Sequence, residues 1–213
     1  IIYNEITNKS FNYLFQEDTL LFEYTKFDVS NINYNILSEQ NFIILDGVEN
    51  LNSGLISSLN NFVDNGNTLL ITPPKKIDEI TSYNEKLKSL RINTVSKEIT
   101  SQFKINKFDF NNPIFKNVFS KEIDLIDYPS SNKSFKINNK IPNTKIIKLE
   151  NNNTFLTSYN IKKGVIYHFS SPLDSLFNNF TQHALFVPTL INIAISSIQI
   201  DAPYYTIKSN QKI

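Results

Sequence analysis

Four polar side chains stand at positions where an α/β domain could do chemistry: Asp46, Thr72, Asp174 and His183. Asp46 and Thr72 each close an apolar run of strand type, and open α/β sheets bind ligands at the carboxyl ends of their strands. Thr72 offers a hydroxyl nucleophile, and Asp46 offers a carboxylate that could bind a ligand. Asp174 and His183 could act as an orienting carboxylate and a general base.

Each of these residues also has a plain structural interpretation. Thr72 runs into two prolines, which supply no backbone N–H for an oxyanion hole, so its hydroxyl is better suited to capping a turn. We expect His183 to hydrogen-bond a backbone carbonyl and to fix the loop before the last helix. Asp46 precedes a glycine, and Asp-Gly is itself a turn signal. We favour these interpretations and predict no catalytic residue.

The composition excludes several further kinds of chemistry. The 213 residues include no cysteine, which excludes thiolate zinc sites, iron–sulfur clusters and cysteine nucleophiles. Asp46, Asp174 and His183 lack the spacing of a metal-binding motif, so we predict no metal site. The four glycines all fall at turns or helix ends. None is left for a phosphate-binding loop, and we predict no cofactor. The 21 Lys and Arg balance the 20 Asp and Glu, so no basic field predicts a nucleic-acid partner.

The apolar pattern predicts an α/β fold. A strand at Asn41–Asp46, a helix with Ser53 as its N-cap and Asn65-Gly66 as its stop, and a strand at Thr68–Thr72 form a βαβ unit with parallel strands. The other predicted elements are a helix at Phe11–Phe15, strands at Thr19–Tyr24, Ile99–Ile105 and Glu122–Asp127, a helix at Ile77–Leu90, strands at Thr144–Leu149, Thr154–Tyr159 and Val165–Phe169, a helix beginning between Asn179 and Pro188, and a strand at Pro203–Lys208.

The three strands after Thr144 predict an antiparallel meander. We expect Gly164 to take the positive φ of its last tight turn. His168 lies within the last of these strands, and the alternation predicts a surface or half-buried position for it.

Two stretches carry a resemblance to known families. Asn41 to Pro74 resembles the strand–helix–strand of class I glutamine amidotransferase-like domains. Gly164 to Ser197, with SPLD followed by HALFVP, resembles the closing segment of large bacterial membrane proteins of the aerotolerance-operon BatA type. In that family an amidotransferase-like domain lies between transmembrane helices. Such a domain uses a nucleophilic cysteine, which this chain lacks.

The resemblance implies a flavodoxin-like, class I glutamine amidotransferase-like three-layer sandwich with an antiparallel meander near its C-terminal part. We expect residues 1–213 to form one such domain of a longer membrane-anchored protein, with an irregular insert at residues 92–139. The expected location is the extracytoplasmic, periplasmic face of a bacterial membrane. Any contact with the membrane would be made by segments outside these residues.

Three functions stay open at this point. The first is a non-catalytic extracytoplasmic interaction module with protein partners in a membrane complex. The second is an accessory domain of an ABC-type export or gliding-related complex. The third is a degenerate hydrolase that uses Asp46, Thr72 or His183, and it requires these side chains to converge in one pocket.

Overall fold

A computed structural model describes residues 1–4, 8–16, 20–116 and 127–198 of the chain. The predicted strand at Pro203–Lys208 lies outside these residues, and so does the one at Glu122–Asp127 except for its last residue.

In the described residues, strands and helices alternate as far as the third α-helix, and seven strands then follow one another before the last α-helix. The strands are β1 (Ile2–Tyr3), β2 (Phe27–Asp28), β3 (Phe42–Asp46), β4 (Thr68–Thr72), β5 (Val95–Ile99), β6 (Phe103–Phe108), β7 (Ser130–Ser131), β8 (Ser134–Ile137), β9 (Thr144–Leu149), β10 (Thr154–Ile161) and β11 (Gly164–Phe169). The α-helices are α1 (Lys9–Gln16), α2 (Ser53–Asp64), α3 (Ile80–Ser89) and α4 (Phe186–Ser196). Short 3-10 helices cover Tyr34–Glu39, Pro113–Phe115 and Phe180–Gln182.

A mixed sheet of nine strands organises the molecule, in the order β2-β1-β3-β4-β11-β10-β9-β6-β7. The strands from β2 to β11 pair in parallel, whereas β10, β9, β6 and β7 pair antiparallel with their neighbours. Strands β5 and β8 form a separate two-stranded sheet. The α/β class is therefore confirmed. The βαβ unit is also confirmed, because β3 and β4 pair in parallel around α2.

Both faces of the central strands are covered. In β3, Ile43 and Leu45 face a core that contains residues of α2, α3, β5 and β8, whereas Ile44 faces a core that contains residues of α1 and α4. Strands buried on both faces read as continuous apolar runs, because no position along them meets water. This explains why the pattern identified β3 and β4 without an alternating signal.

Helix α2 has the clearest end signals in the chain. Its N-cap is Asn52, one residue before the predicted Ser53, and the Asn52 side chain accepts a hydrogen bond of 2.8 Å from the backbone N–H of Leu55. The helix ends at Asp64, and Gly66, two residues later, takes the predicted left-handed conformation with a φ of +105°.

Several predicted boundaries were wrong. Residues 20–24 form no strand, and Phe22 and Tyr24 instead pack their rings on Phe15 of α1. The predicted strand at Ile99–Ile105 is two strands, β5 and β6, separated by a turn. Helix α3 begins three residues later than predicted, at Ile80.

Asp64, the last residue of α2, binds two residues that adopt left-handed backbone conformations. Its carboxylate oxygens lie 2.7 Å from Nη2 of Arg91 and 2.6 Å from Nζ of Lys162. The φ angles of Arg91 and Lys162 are +63° and +51°. The prediction that Gly164 takes the positive φ of the β10–β11 turn was therefore wrong, because Lys162 takes it.

Position 164 requires glycine for a different reason, which is that no room exists there for a side chain. A Cβ atom on Gly164 would lie 2.2 Å from the carbonyl oxygen of Val63 and 2.5 Å from that of Asn67. Both contacts are with backbone, which cannot move aside without shifting the end of α2. The first residue of β11 thus packs directly on the turn that joins α2 to β4.

We predict that Gly164→Ala lowers the free energy of unfolding by about 2 kcal/mol or more, because overpacking against backbone forces the strand and the turn apart. Urea unfolding followed by circular dichroism measures the loss. Gly54→Ala is the matched control. The atoms nearest to its Cβ belong to side chains, at 2.9 Å in Tyr34 and 3.4 Å in Asn52, and the Tyr34 ring can shift where backbone cannot. A helical Gly→Ala change also gains helix propensity. Equal stability of the two variants would contradict the prediction.

Candidate functional site

The carboxyl edge of the parallel strands brings Asp46 and Thr72 together. They are the last residues of β3 and β4 and are register partners. The Thr72 hydroxyl donates a hydrogen bond of 2.7 Å to Oδ1 of Asp46 and accepts one of 3.1 Å from the backbone N–H of Gly47. Thr72 is 1% exposed. Its hydroxyl therefore caps the turn after β3, which is the structural role that we favoured.

Asp46 lies where the connections between strands switch from one face of the sheet to the other. Strand β1 stands between β2 and β3, and the chain runs from β1 to β2 through α1 and from β2 to β3 through the 3-10 helix at Tyr34–Glu39. These two connections pack against opposite faces, because α1 joins the core with α4, and Leu37 joins the core with α2. The carboxyl ends of β1 and β3 thus form the kind of switch point at which open α/β sheets bind ligands.

The carboxylate of Asp46 reaches the start of α1. Asn8 precedes α1, and its side-chain oxygen accepts a hydrogen bond of 2.9 Å from the N–H of Ser10. Burial raises the pKa of Asp46, while hydrogen bonds from the Thr72 hydroxyl and the Asn8 backbone N–H oppose that rise. Other doubly wound folds bind a ligand anion at this helix terminus. Here the chain's own carboxylate lies there.

Asp174 pairs with Lys75. The Lys75 Nζ lies 2.5 Å from Oδ2 of Asp174, and Nζ of Lys133 donates to the Lys75 carbonyl over 2.6 Å. Partial burial by itself would raise the pKa of Asp174, but hydrogen bonds from Lys75 and from the backbone N–H of Leu176 lower it below its ordinary value. The carboxylate that was considered as a partner of His183 therefore joins the loop after β4 to the loop after β11.

His183 makes local backbone contacts. Its Nε2 lies 2.8 Å from the carbonyl oxygen of Asp127, and the N–H of Leu185 donates to its Nδ1 over 3.2 Å. These contacts fit the tautomer that carries its proton on Nε2. The predicted hydrogen bond of His183 to a backbone carbonyl is thus present, and Asp174, its candidate partner, is bound to Lys75 instead.

His168 is fully buried, so the prediction of a surface or half-buried position was wrong. It lies in β11 between Ile71 of β4 and Thr157 of β10. Within the described ranges, neither ring nitrogen has a hydrogen-bond partner, and the same holds for the Ser170 hydroxyl two residues later. Desolvation lowers the pKa of His168 to about 4. The ring is therefore neutral at pH 7.

Sequence reasoning missed Asn8, Lys75 and Lys133 as members of this edge. An Asn before a helix is an N-cap signal that could have identified Asn8. The contacts of the two lysines depend on loops that are distant in sequence. Among the described residues, no group of three or more His, Cys, Asp or Glu side chains could hold a metal ion.

Comparisons with known proteins show a fold and no family. No protein-family model matches the chain, and no curated protein matches it. Among solved structures it is similar to the cytoplasmic proteins STM3548 and STM1381 from Salmonella typhimurium. Each is 11% identical, with TM-scores of 0.67 and 0.68, over 88% and 90% of this chain and 85% and 87% of theirs. It is also similar to a putative ThuA-like protein from Bacteroides uniformis, at 11% identity and a TM-score of 0.56, over 90% of this chain and 87% of that one.

These neighbours contradict the BatA-type recognition. They are two proteins named cytoplasmic and one named ThuA-like, and none points to a BatA-type amidotransferase-like domain. The expected periplasmic location is wrong for the same reason, and the expected membrane anchoring is left without support. Within the part of the chain that the structure describes, no helix combines the length and the apolar character of a membrane span. At 11% identity the likeness extends to the fold alone.

We predict that Thr72→Val lowers the free energy of unfolding at pH 7 by about 1–3 kcal/mol, because the half-buried Asp46 carboxyl group loses a hydrogen-bond donor. Thr72→Ser, which keeps the hydroxyl, is the control and should lose less. Urea unfolding of the three proteins tests this. If Thr72→Val and Thr72→Ser lower the free energy of unfolding equally, the hydroxyl group contributes nothing to stability.

We predict that His168 makes the fold acid-sensitive. An unfolded histidine binds a proton below a pH of about 6.5, whereas the folded His168 does so only below about 4. The unfolded state therefore holds more protons in this window, and stability falls as the pH falls. The loss attributable to His168 is about 2.5 kcal/mol at a pH of about 4.5.

His168→Leu is the variant that isolates this effect. The difference in unfolding free energy between the wild type and His168→Leu should be constant above pH 7 and should shift in favour of leucine on acidification. A pH-independent difference would mean that His168 has the same pKa in the folded and the unfolded chain, which would contradict its burial without a hydrogen-bond partner.

Proposed function

We propose that this chain is a non-catalytic interaction module on a flavodoxin-like, three-layer α/β scaffold with an antiparallel meander formed by β9, β10 and β11. One observation carries the proposal. The Asp46 carboxylate and the buried Thr72 hydroxyl, which are the groups best placed for chemistry at the carboxyl edge, are hydrogen-bonded to each other.

The hydrogen bonds of Thr72 argue against a nucleophile. A nucleophilic hydroxyl must meet the substrate and pass its proton to a base. The Thr72 hydroxyl is buried and already accepts the Gly47 N–H. Asp46 could accept a proton, but the oxygen it would activate faces the interior. The degenerate-hydrolase alternative therefore has no exposed nucleophile among the three residues on which it depended.

The surface supports an interaction role. Large apolar side chains are exposed on it, and Leu21 and Ile198 line one cleft of about 280 Å³ at the amino end of β3. Exposed apolar side chains in a cleft are candidate contacts for a protein partner. The formal net charge of +1 favours a protein partner over a nucleic acid. No specific contact favours the alternative of an accessory domain in an export or gliding-related complex.

We predict that the chain shows no hydrolysis of p-nitrophenyl acetate or of glutamine above the rate in buffer, and that Thr72→Val matches the wild type. Product release is measured over a range of pH values, because burial raises the pKa of Asp46, the candidate base. Thr72→Ser serves as the folded control. A turnover that Thr72→Val abolishes and Thr72→Ser keeps would overturn the proposal.

A further inference from the structure

A cleft of about 280 Å³, here called the β3 cleft, opens at the amino end of β3. Its lining includes Phe15 of α1, Phe42 at the start of β3 and Ala194 of α4. Leu21 and Ile198, which are 66% and 52% exposed, also line it. Sites that enclose a whole small molecule measure about 300–1,000 Å³. The β3 cleft therefore suits a few side chains of a larger partner.

Aromatic rings form a packed cluster along the β3 cleft. Phe22 and Phe42 pack edge-on against the ring of Phe15, with centroid distances of 5.2 and 6.1 Å. Tyr24 stacks on the same ring at 6.0 Å, and its hydroxyl donates to Oδ1 of Asn12 over 2.9 Å. Because these rings hold one another in place, a partner need not order them on binding. Aromatic faces also attract the cations of Lys and Arg.

Two carboxylates give the β3 cleft a negative charge. Glu23 and Glu39 line it, and both are exposed. Among the described residues, neither forms an ion pair, and no Lys or Arg lines the cleft. The amino group of Ile1 lines it and donates to the carbonyl of Thr25, but burial lowers the pKa of this group to about 5. The amino group is therefore uncharged at pH 7 and does not neutralise the carboxylates.

This charge selects among the classes of partner. The carboxylates repel the phosphates of nucleic acid and the anionic headgroups of a membrane surface. A second copy of the chain, placed on the same cleft by a twofold axis, would bring its own Glu23 and Glu39 against these two. A protein segment that carries Lys or Arg beside large apolar side chains complements both the carboxylates and the apolar lining.

We propose that the β3 cleft binds a segment of another protein in which Lys or Arg residues flank large apolar side chains. The apolar side chains of the segment contact Phe42 and Leu21, and its cations pair with Glu23 and Glu39. This names the partner of the interaction module proposed above and rests on that function. The cleft lies about 13 Å from Asp46, at the opposite end of the five residues of β3. Substitutions in the cleft therefore leave the carboxyl edge untouched.

Selection of phage-displayed random heptapeptides on the immobilised full chain tests the proposal. The enriched sequences should combine Lys or Arg with large apolar residues. An enriched peptide is then synthesised with a fluorescent label, and its dissociation constant is measured by fluorescence anisotropy. The double variant Glu23→Gln, Glu39→Gln should bind it roughly fivefold or more weakly, because two ion pairs are lost. Added salt should weaken binding to the wild type for the same reason.

Matched variants separate the β3 cleft from the rest of the surface. Glu79→Gln combined with Glu85→Gln makes the same charge change at exposed positions beside and within α3, which packs on the other face of the sheet. This control should bind as the wild type does. Leu21→Ser should weaken binding by roughly fivefold or more, because it removes an apolar contact. Leu176→Ser is its control, since Leu176 is 72% exposed and lies outside the cleft. Circular dichroism verifies that each variant is folded.

Four results would overturn the proposal. The first is a selection that enriches no peptide, and the second is one that enriches acidic or uncharged peptides. The third is equal binding of the enriched peptide to the wild type and to the Glu23→Gln, Glu39→Gln variant. The fourth is self-association of the full chain in sedimentation equilibrium that Leu21→Ser abolishes, which would identify a second copy as the occupant of the cleft.

Failure of this inference is distinguishable from failure of the proposed function. If no basic apolar peptide binds and the chain hydrolyses no ester, the β3 cleft is not the interface, while the module remains non-catalytic. If such peptides bind but the chain hydrolyses ester through Thr72, the proposed function fails and the binding site stands.

Discussion

Burial of the central parallel strands on both faces is the constraint on which the rest of the structure depends. Strands β3, β4 and β11 have helices or the small β5–β8 sheet on either side. A polar side chain in their middle cannot reach water, so it must be neutral or hydrogen-bonded. His168 meets this requirement through a pKa of about 4, which keeps it uncharged. Asp46 and Thr72 meet it at the carboxyl edge by bonding to each other.

The same constraint supports the proposal that the carboxyl edge is not catalytic. In doubly wound sheets this edge offers open backbone donors and a helix terminus to a ligand. Here the Asp46 carboxylate accepts from Thr72 and from Asn8, and Lys75 is paired with Asp174 across two loops. A ligand anion would have to displace a carboxylate that is already held by these donors. The hydrogen bonds that stabilise this edge therefore compete with ligand binding.

The sequence predicted what depends on local pattern. Sequence analysis found the apolar runs of β3 and β4 and the glycine that follows the end of α2. It could do so because burial and backbone conformation directly restrict which residue types occur at these positions. Phe22 and Tyr24 alternate as a strand would, yet they pack on Phe15, because an alternating pattern requires only one buried face and not a pairing partner. His168 was misplaced for a related reason. The sequence VIYHF reveals the alternation of its own side chains, but it does not reveal that other layers of the fold cover both faces of this strand.

The candidate site could be predicted only as far as the topology of the sheet could be predicted. Because β3 and β4 were expected to be parallel neighbours, Asp46 and Thr72 could be placed at one edge, but their direct hydrogen bond depends on register. The contact of Asp174 with Lys75 depends on two loops about a hundred residues apart, which no local pattern encodes. Composition shows a similar limit at α4. An uncharged apolar segment predicts burial, yet the fold covers only one side of this helix.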